Sequence, residues 1–136
     1  MSTERVWDIY REIEKLVPLR SLQAFLLVVQ DEGLSLNEYA QRAGASKSMM
    51  SRTLLEISDR PGGEGLITSR RPPMNLRRKE ILLTPKGRDT VQRIDEVLAL
   101  NRTFLKQLFA DDAANCPPWL KLALSHPQRG AIPVAP

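Results

Sequence analysis

Apolar residues recur along this chain at helical spacing in five segments and as compact strand-like runs in two, and the order of those segments outlines a fold. From Arg5 to Val17, the residues Val6, Ile9, Ile13 and Leu16 share one face, with Trp7 and Tyr10 beside it, and Pro18 ends the helix. Leu19 to Asp31 is a second, more apolar helix that closes near Gly33. Leu36, Tyr39, Ala40 and Ala43 then follow at spacings of three and four, and Met50, Leu54 and Ile57 repeat the pattern. After them come Leu66-Ile67-Thr68 and Ile81-Leu82-Leu83-Thr84, rich in β-branched and apolar residues and separated by a turn-prone stretch holding Pro72, Pro73 and Asn75. The last segment is a helix of about 25 residues, capped by Thr84 with Pro85 at its first position. It carries Val91, Ile94, Leu98, Leu105 and Leu108 on one side.

The two short helices in the middle have well-defined ends. Ser35 accepts a hydrogen bond from the Glu38 backbone while Glu38 reaches back to Ser35, a capping box. Gly44 stops that helix because a residue without Cβ enters the left-handed conformation at little cost. Ser46 caps the next one. With Met50, Leu54 and Ile57 packed inward, Ser48, Ser51 and Arg52 turn outward, with Lys47 and Met49 at the margins. A helix-turn-helix built this way offers short hydroxyls and a cation at the amino end of its second helix, which suits base edges and phosphates in a major groove. Taken alone, the same pattern also fits a helical hairpin with a solvated polar face.

The hairpin that follows holds Arg70, Arg71, Arg77, Arg78 and Lys79 around its tip. Proline cannot continue a ladder, so this tip protrudes. Arginine on a protruding β-loop can enter a minor groove, although a charge run can equally be a solvated face. The distribution of charge favours contact. From Arg42 to Arg88 there are eleven Lys and Arg against four Asp and Glu, whereas residues 1–41 are net acidic and 89–136 balance, within an overall charge of +4. Segregated positive charge over a groove-reading surface is what phosphate neutralisation requires.

The fold class implied is mainly α with a small β-hairpin wing: one winged helix-turn-helix domain spanning residues 1–136. Residues 35–84 hold the helix-turn-helix and wing, 1–34 and 85–110 supply dimerisation helices, and 111–136 is a partly disordered C-terminal extension. Two amphipathic helices beside so small a core leave apolar stripes that pack across a twofold axis, or else on each other within one monomer. Asn101 interrupts the long stripe, either pairing with its symmetry mate or facing solvent. Composition is that of a globular protein, with 42% hydrophobic and 26% charged residues, and no apolar run reaches the roughly 20 residues of a membrane span. An acidic amino terminus without a secretory pattern points to the cytoplasm and the nucleoid.

Catalytic and metal chemistry lack a basis in the residues. There is no nucleophile with a base, no Gly-rich phosphate loop and no ligand spacing for a metal, so no enzyme activity and no cofactor is expected. Cys116 has no second cysteine to pair with, and His126 has no partner spacing for zinc or a triad. Trp119 reads as a packing anchor.

Ser46-Lys-Ser-Met-Met-Ser-Arg52, Gly65-Leu-Ile67 and the wing ending Leu83-Thr-Pro-Lys-Gly87 resemble the MarR family of bacterial winged-helix transcription regulators over roughly Leu22 to Val97. The resemblance implies that Arg77 takes the place of the wing arginine that reaches the minor groove and that Ser48, Ser51 and Arg52 fall at recognition-helix contacts. It implies dimerisation through the terminal helices and a small lipophilic or phenolic effector bound between those helices and the DNA-binding lobe; some relatives sense redox through a reactive cysteine, but Cys116 lies in an Asn-Cys-Pro-Pro context with no cation beside it to stabilise a thiolate. Three departures stand out, one being that the arginine expected just after Gly-Leu-Ile falls one place late, at Arg70. Asn75 occupies a position that is usually Asp, where an ion pair orients the wing arginine, and Ser58-Asp-Arg-Pro-Gly-Gly-Glu64 is longer than the usual link between recognition helix and wing.

The function expected is a homodimeric repressor of a pseudo-palindromic operator. Its DNA contacts are Ser46, Lys47, Ser48, Met49, Ser51, Arg52, Arg70, Arg71, Arg77, Arg78 and Lys79, and its partners are double-stranded DNA and a second copy of itself, with no membrane. The rival reading is a winged-helix protein-interaction module whose basic face meets an acidic partner.

Overall fold

The computed structural model describes residues 2–110 and 120–122, in which five helices and one antiparallel hairpin follow the order α1(Ser2–Glu14), α2(Leu19–Gln30), α3(Leu36–Ala43), α4(Lys47–Glu56), β1(Ile67–Arg70), β2(Glu80–Leu83) and α5(Pro85–Ala110). The expectations for the extension beyond Ala110, including Cys116, Trp119 and His126, lie outside the described residues, except that Leu120 is fully buried.

Helix α2 is the centre of the molecule. Leu22, Ala24, Phe25, Leu26, Leu27, Val28 and Val29 are all buried, so the helix is enclosed on nearly every side, as a helix apolar all round must be. Around it pack α3, α4, β2 and α1. Tyr39, Met50, Leu54, Ile57, Leu66, Ile67, Ile81 and Leu83 complete the lobe.

The wing strands pair from Ile67↔Leu83 to Arg70↔Glu80, one or two residues further toward the tip than the apolar runs alone suggest. Two interactions account for the shift. Arg70 Nε and Glu80 Oε1 form an ion pair at 3.1 Å across the last register position, and Thr84, whose N–H still bonds the Leu66 carbonyl at 3.0 Å, turns its side chain to α5. The Thr84 hydroxyl accepts from Gly87 N–H at 2.9 Å and donates to the Gly65 carbonyl at 2.6 Å. A third segment also joins β2, since Gly33 N–H donates to the Ile81 carbonyl (2.8 Å) and Ile81 N–H to that of Leu34 (3.1 Å). Gly33 turns the chain into this pairing with φ +88°.

Within one chain the apolar stripes of the terminal helices lie against each other. Helix α1 lies on α5, and Ile9, Ile13, Val17, Leu98 and Leu105 all belong to the buried core. The 26-residue α5 is long enough for α1 to lie along it. Asn101 is neither a buried seam residue nor a solvated one. Its amide donates to the Val97 carbonyl at 2.8 Å and its Oδ1 accepts from Arg5 Nε at 3.2 Å, tying α1 to α5.

Candidate nucleic-acid interface

The recognition element is held by the caps that its residues imply. Glu38 N–H donates to Ser35 Oγ at 3.3 Å while Ser35 N–H donates to Glu38 Oε1 at 2.9 Å. Gly44 closes α3 at φ +67°, and Ser46 Oγ accepts Met49 N–H at 3.1 Å to open α4. Met50 and Leu54 anchor α4 on α2 and α3. Lys47, Ser48, Met49 and Arg52 are left exposed, with Ser51 half-buried at the edge. The hydroxyl of Thr53 is taken by the Met49 carbonyl at 2.9 Å and that of Ser48 lies 3.5 Å from Ser46 Oγ, so among the described residues the hydroxyl without a partner on this face is that of Ser51.

The long link from α4 to the wing does not loosen its root. Leu66 N–H bonds to the Ile57 carbonyl, Gly65 N–H to Ser58 and Asp59 N–H to Ile67, all between 2.8 and 2.9 Å. Thr68 Oγ1 donates to Asp59 Oδ2 at 2.7 Å. The added residues thus loop outward from a stem zipped to β1.

At the wing tip the five cations separate by role. Arg70 pairs with Glu80. Arg71 turns back on the tip, its Nη1 donating to the carbonyls of Leu76 (3.0 Å) and Arg77 (3.5 Å). Arg78 points toward the body: Nη2 donates to Glu38 Oε1 at 2.9 Å and to the Gly33 carbonyl at 3.1 Å, and Nε lies 3.5 Å from Glu80 Oε2. Arg77 and Lys79 are exposed, and among the described residues neither has an ion-pair partner. The same is true of Lys47 and Arg52 on α4. Asn75, standing where an orienting carboxylate would be, accepts the backbone N–H of Arg77 at 3.3 Å and leaves its guanidinium free.

Three of these free cations converge. An open depression of about 510 Å³ lies between the amino end of α3, the start of α4 and the wing, and Lys47, Arg77 and Lys79 line it together with Ser35 and Asn37. Asn37 was not anticipated as a site residue; its position in the first turn of α3 was legible, but its place opposite the wing depends on the tertiary fold. Two further groups set the surface without lining it. Ser21, fully buried on α2, donates to Glu56 at the end of α4, and Arg20 Nη2 closes on the same carboxylate at 2.5 Å. Those hydrogen bonds from Arg20 and Ser21 hold the Glu56 carboxyl below the ordinary range. Glu38 is likewise held low, first by the Ser35 backbone N–H, then by its hydroxyl and by Arg78.

An array of unpaired cations and short hydroxyls along one concave face can neutralise phosphates and reach base edges. Among the described residues no cluster of His, Cys, Asp and Glu is placed to hold a metal ion, and no helix is long and apolar enough to cross a membrane.

No protein-family model matches the sequence, and no curated protein matches it. Solved structures do. MarR superposes with a TM-score of 0.58 at 24% identity, covering 81% of this chain and 70% of that one. CouR, a transcriptional repressor bound to a 23-mer DNA duplex, gives 0.57 at 21% identity, covering 83% and 81%. PcaV, a transcriptional regulator from Streptomyces coelicolor in complex with its natural ligand, gives 0.55 at 21% identity, covering 82% and 81%. At these identities the likeness is one of fold: the chain has the MarR-type winged-helix architecture.

Proposed function

We propose that this chain is a sequence-specific, double-stranded DNA-binding transcription regulator that acts as a homodimeric repressor on a pseudo-palindromic operator. The observation that carries the reading is the convergence of Lys47, Arg77 and Lys79, all without ion-pair partners among the described residues, on one depression between recognition helix and wing. Cations left unpaired on a rigid concave face repel one another unless a polyanion covers them.

In this reading Ser48, Met49 and Ser51 meet base edges from α4, and Lys47 and Arg52 meet phosphate. Arg77 enters the minor groove, with Arg71 and Lys79 beside it. Ser46, whose hydroxyl accepts Met49 N–H, acts by shaping the helix start. Arg70 and Arg78 belong to the same wing but hold it, through Glu80 and Glu38, rather than touching the duplex. A second copy supplies the other half-site about one helical turn, ~34 Å, away. Trp7 and Leu100, 59% and 83% exposed on α1 and α5, are the large apolar side chains still uncovered among the described residues of the helices that would form the dimer.

The proposal extends to a small lipophilic or phenolic effector, as PcaV is known with its natural ligand. A cavity of about 250 Å³ between α4 and the wing, lined in part by Leu54, Leu55, Ile67 and Ile81, lies where an occupant would move one reading element against the other. The site of action is the cytoplasmic nucleoid.

Mobility-shift titration of the purified chain against genomic fragments at two salt concentrations tests the reading. Binding that is selective for particular fragments and weakens steeply with salt supports it. The absence of any shift at low salt, with salt-insensitive capture of an acidic protein, would make the surface a protein-docking module.

A further inference from the structure

The wing tip presents two large apolar side chains that the described residues leave uncovered. Met74 is 97% exposed and Leu76 is 65% exposed. Neither sits on loose chain. Asn75 N–H donates to the Pro72 carbonyl at 3.0 Å, closing a turn with Pro73 and Met74 at its corners. Arg78 N–H donates to the Asn75 carbonyl at 3.1 Å, closing a second turn with Leu76 and Arg77 at its corners. Pro73 restricts φ in the first turn, and in the second the Asn75 side chain and the Arg71 guanidinium bind the backbone from both sides.

Rigid, uncovered apolar side chains imply an external surface that covers them, and their neighbours select its chemistry. Residues 71–79 hold Arg71, Arg77, Arg78 and Lys79 and no acidic side chain. An anionic membrane would suit a basic and apolar tip in isolation. The position of the tip favours a duplex, because Arg77 and Lys79 share their depression with Lys47 of α4, so that a polyanion gripped by the recognition helix meets the wing at the same time. A minor groove has phosphates along its rims and deoxyribose along its walls, and it is opened at base steps by apolar wedges, methionine and leucine among them.

We propose that Met74 and Leu76 form a wedge that enters the minor groove beside Arg77, packs on the sugar walls, opens a base step and bends the DNA. The inference rests on the DNA-binding reading above and adds a source of specificity that requires no hydrogen bond. A site containing a deformable pyrimidine–purine step under the wing binds better than one with a stiff A-tract there.

The test uses the full chain and a duplex of about 30 base pairs selected by it from a random pool, labelled at both ends for energy transfer. Wild type shortens the end-to-end distance. Met74→Ala/Leu76→Ala, with both sites exposed and the fold checked by circular dichroism, still binds, on the order of tenfold more weakly, leaves the duplex straight and loses its preference for the flexible step. Leu76→Met bends as wild type does. Bending by the double variant equal to wild type overturns the wedge while leaving the DNA-binding reading intact. So does a double variant that bends DNA normally but no longer binds phosphatidylglycerol vesicles, which would assign the tip to a membrane. Failure of wild type to select any duplex removes both proposals together.

Discussion

Arg78 Nη2 lies 2.9 Å from Oε1 of Glu38, the same oxygen that accepts the Ser35 backbone N–H at 2.9 Å, so one carboxylate closes the first turn of α3 and holds the wing against it. Arg77, one residue earlier, has no such partner among the described residues. Adjacent arginines thus have opposite tasks, and salt dependence separates them. Arg77→Ala flattens the slope of log K against log salt by about one if the guanidinium meets phosphate, or costs about 1 to 3 kcal/mol of discrimination if it reads base edges. Arg78→Ala weakens binding by freeing the wing but leaves the slope near its wild-type value. Titrations over a series of salt concentrations check both, and a flattened slope in Arg78→Ala would move that residue into the contact set.

The same carboxylate makes the wing sensitive to acid. Glu38 is held below its ordinary value of 4.5 by Ser35 and Arg78, so the charged form is favoured in the folded state. Its contribution to wing docking is complete above about pH 4.5 and is lost as pH falls through the lower folded-state value. Amide protection in residues 71–79, measured relative to intrinsic exchange at each pH, should fall over that acid range before that of the core does. Glu38→Gln, which cannot ionise, should show fast exchange there at neutral pH and no further acid step in the wing.

These two arginines also mark where sequence reasoning reaches its limit. The helix-turn-helix was legible because its determinants are local: Ser35 and Glu38 are three residues apart, and Gly44 and Ser46 stand at the ends that they define. The hairpin was legible from its apolar runs and prolines. That Arg78 faces inward was not, since its partners at Gly33 and Glu38 lie some forty positions away and its sequence neighbours are equally basic. Ser21 with Glu56 and Glu32 with Arg88 are similarly remote pairs. Periodicity identified the buried faces of α1 and α5 correctly, but a stripe states only that it is covered and not which copy of the chain covers it.

Tyr39 joins the end of α2 to the strand-like segment after it. Its hydroxyl donates to the Asp31 carbonyl at 2.6 Å and accepts Leu34 N–H at 3.3 Å. Tyr39→Phe removes both bonds and should cost about 1 to 3 kcal/mol, because two backbone groups are left without partners. Burial pushes the phenol up to about 12 from 10, so the neutral form is favoured in the folded state. That share of the stability is present below about pH 10 and disappears as pH climbs toward 12. Denaturant midpoints across this range should fall more steeply for wild type than for Tyr39→Phe, and parallel curves would mean that the phenol titrates as if exposed.

Gly87 sits in the first turn of α5, where helix propensity alone argues for alanine by about 1 kcal/mol. The packing argues the reverse. A Cβ added there would lie 2.1 Å from the Leu66 carbonyl oxygen, which already accepts Thr84 N–H at 3.0 Å, and Leu66 N–H is itself bonded to Ile57 at the end of α4. The obstacle is backbone fixed on both sides, so it cannot swing away as a side-chain tip would. An overlap of this size costs about 3 kcal/mol or more, which exceeds the propensity gain. Gly87→Ala should therefore lower the denaturant midpoint and, by tilting α5 away from β1, weaken DNA binding as well. An alanine variant as stable as wild type would show that α5 does not start against the wing, and the hairpin would then have lost the support that aims Arg77 at the groove.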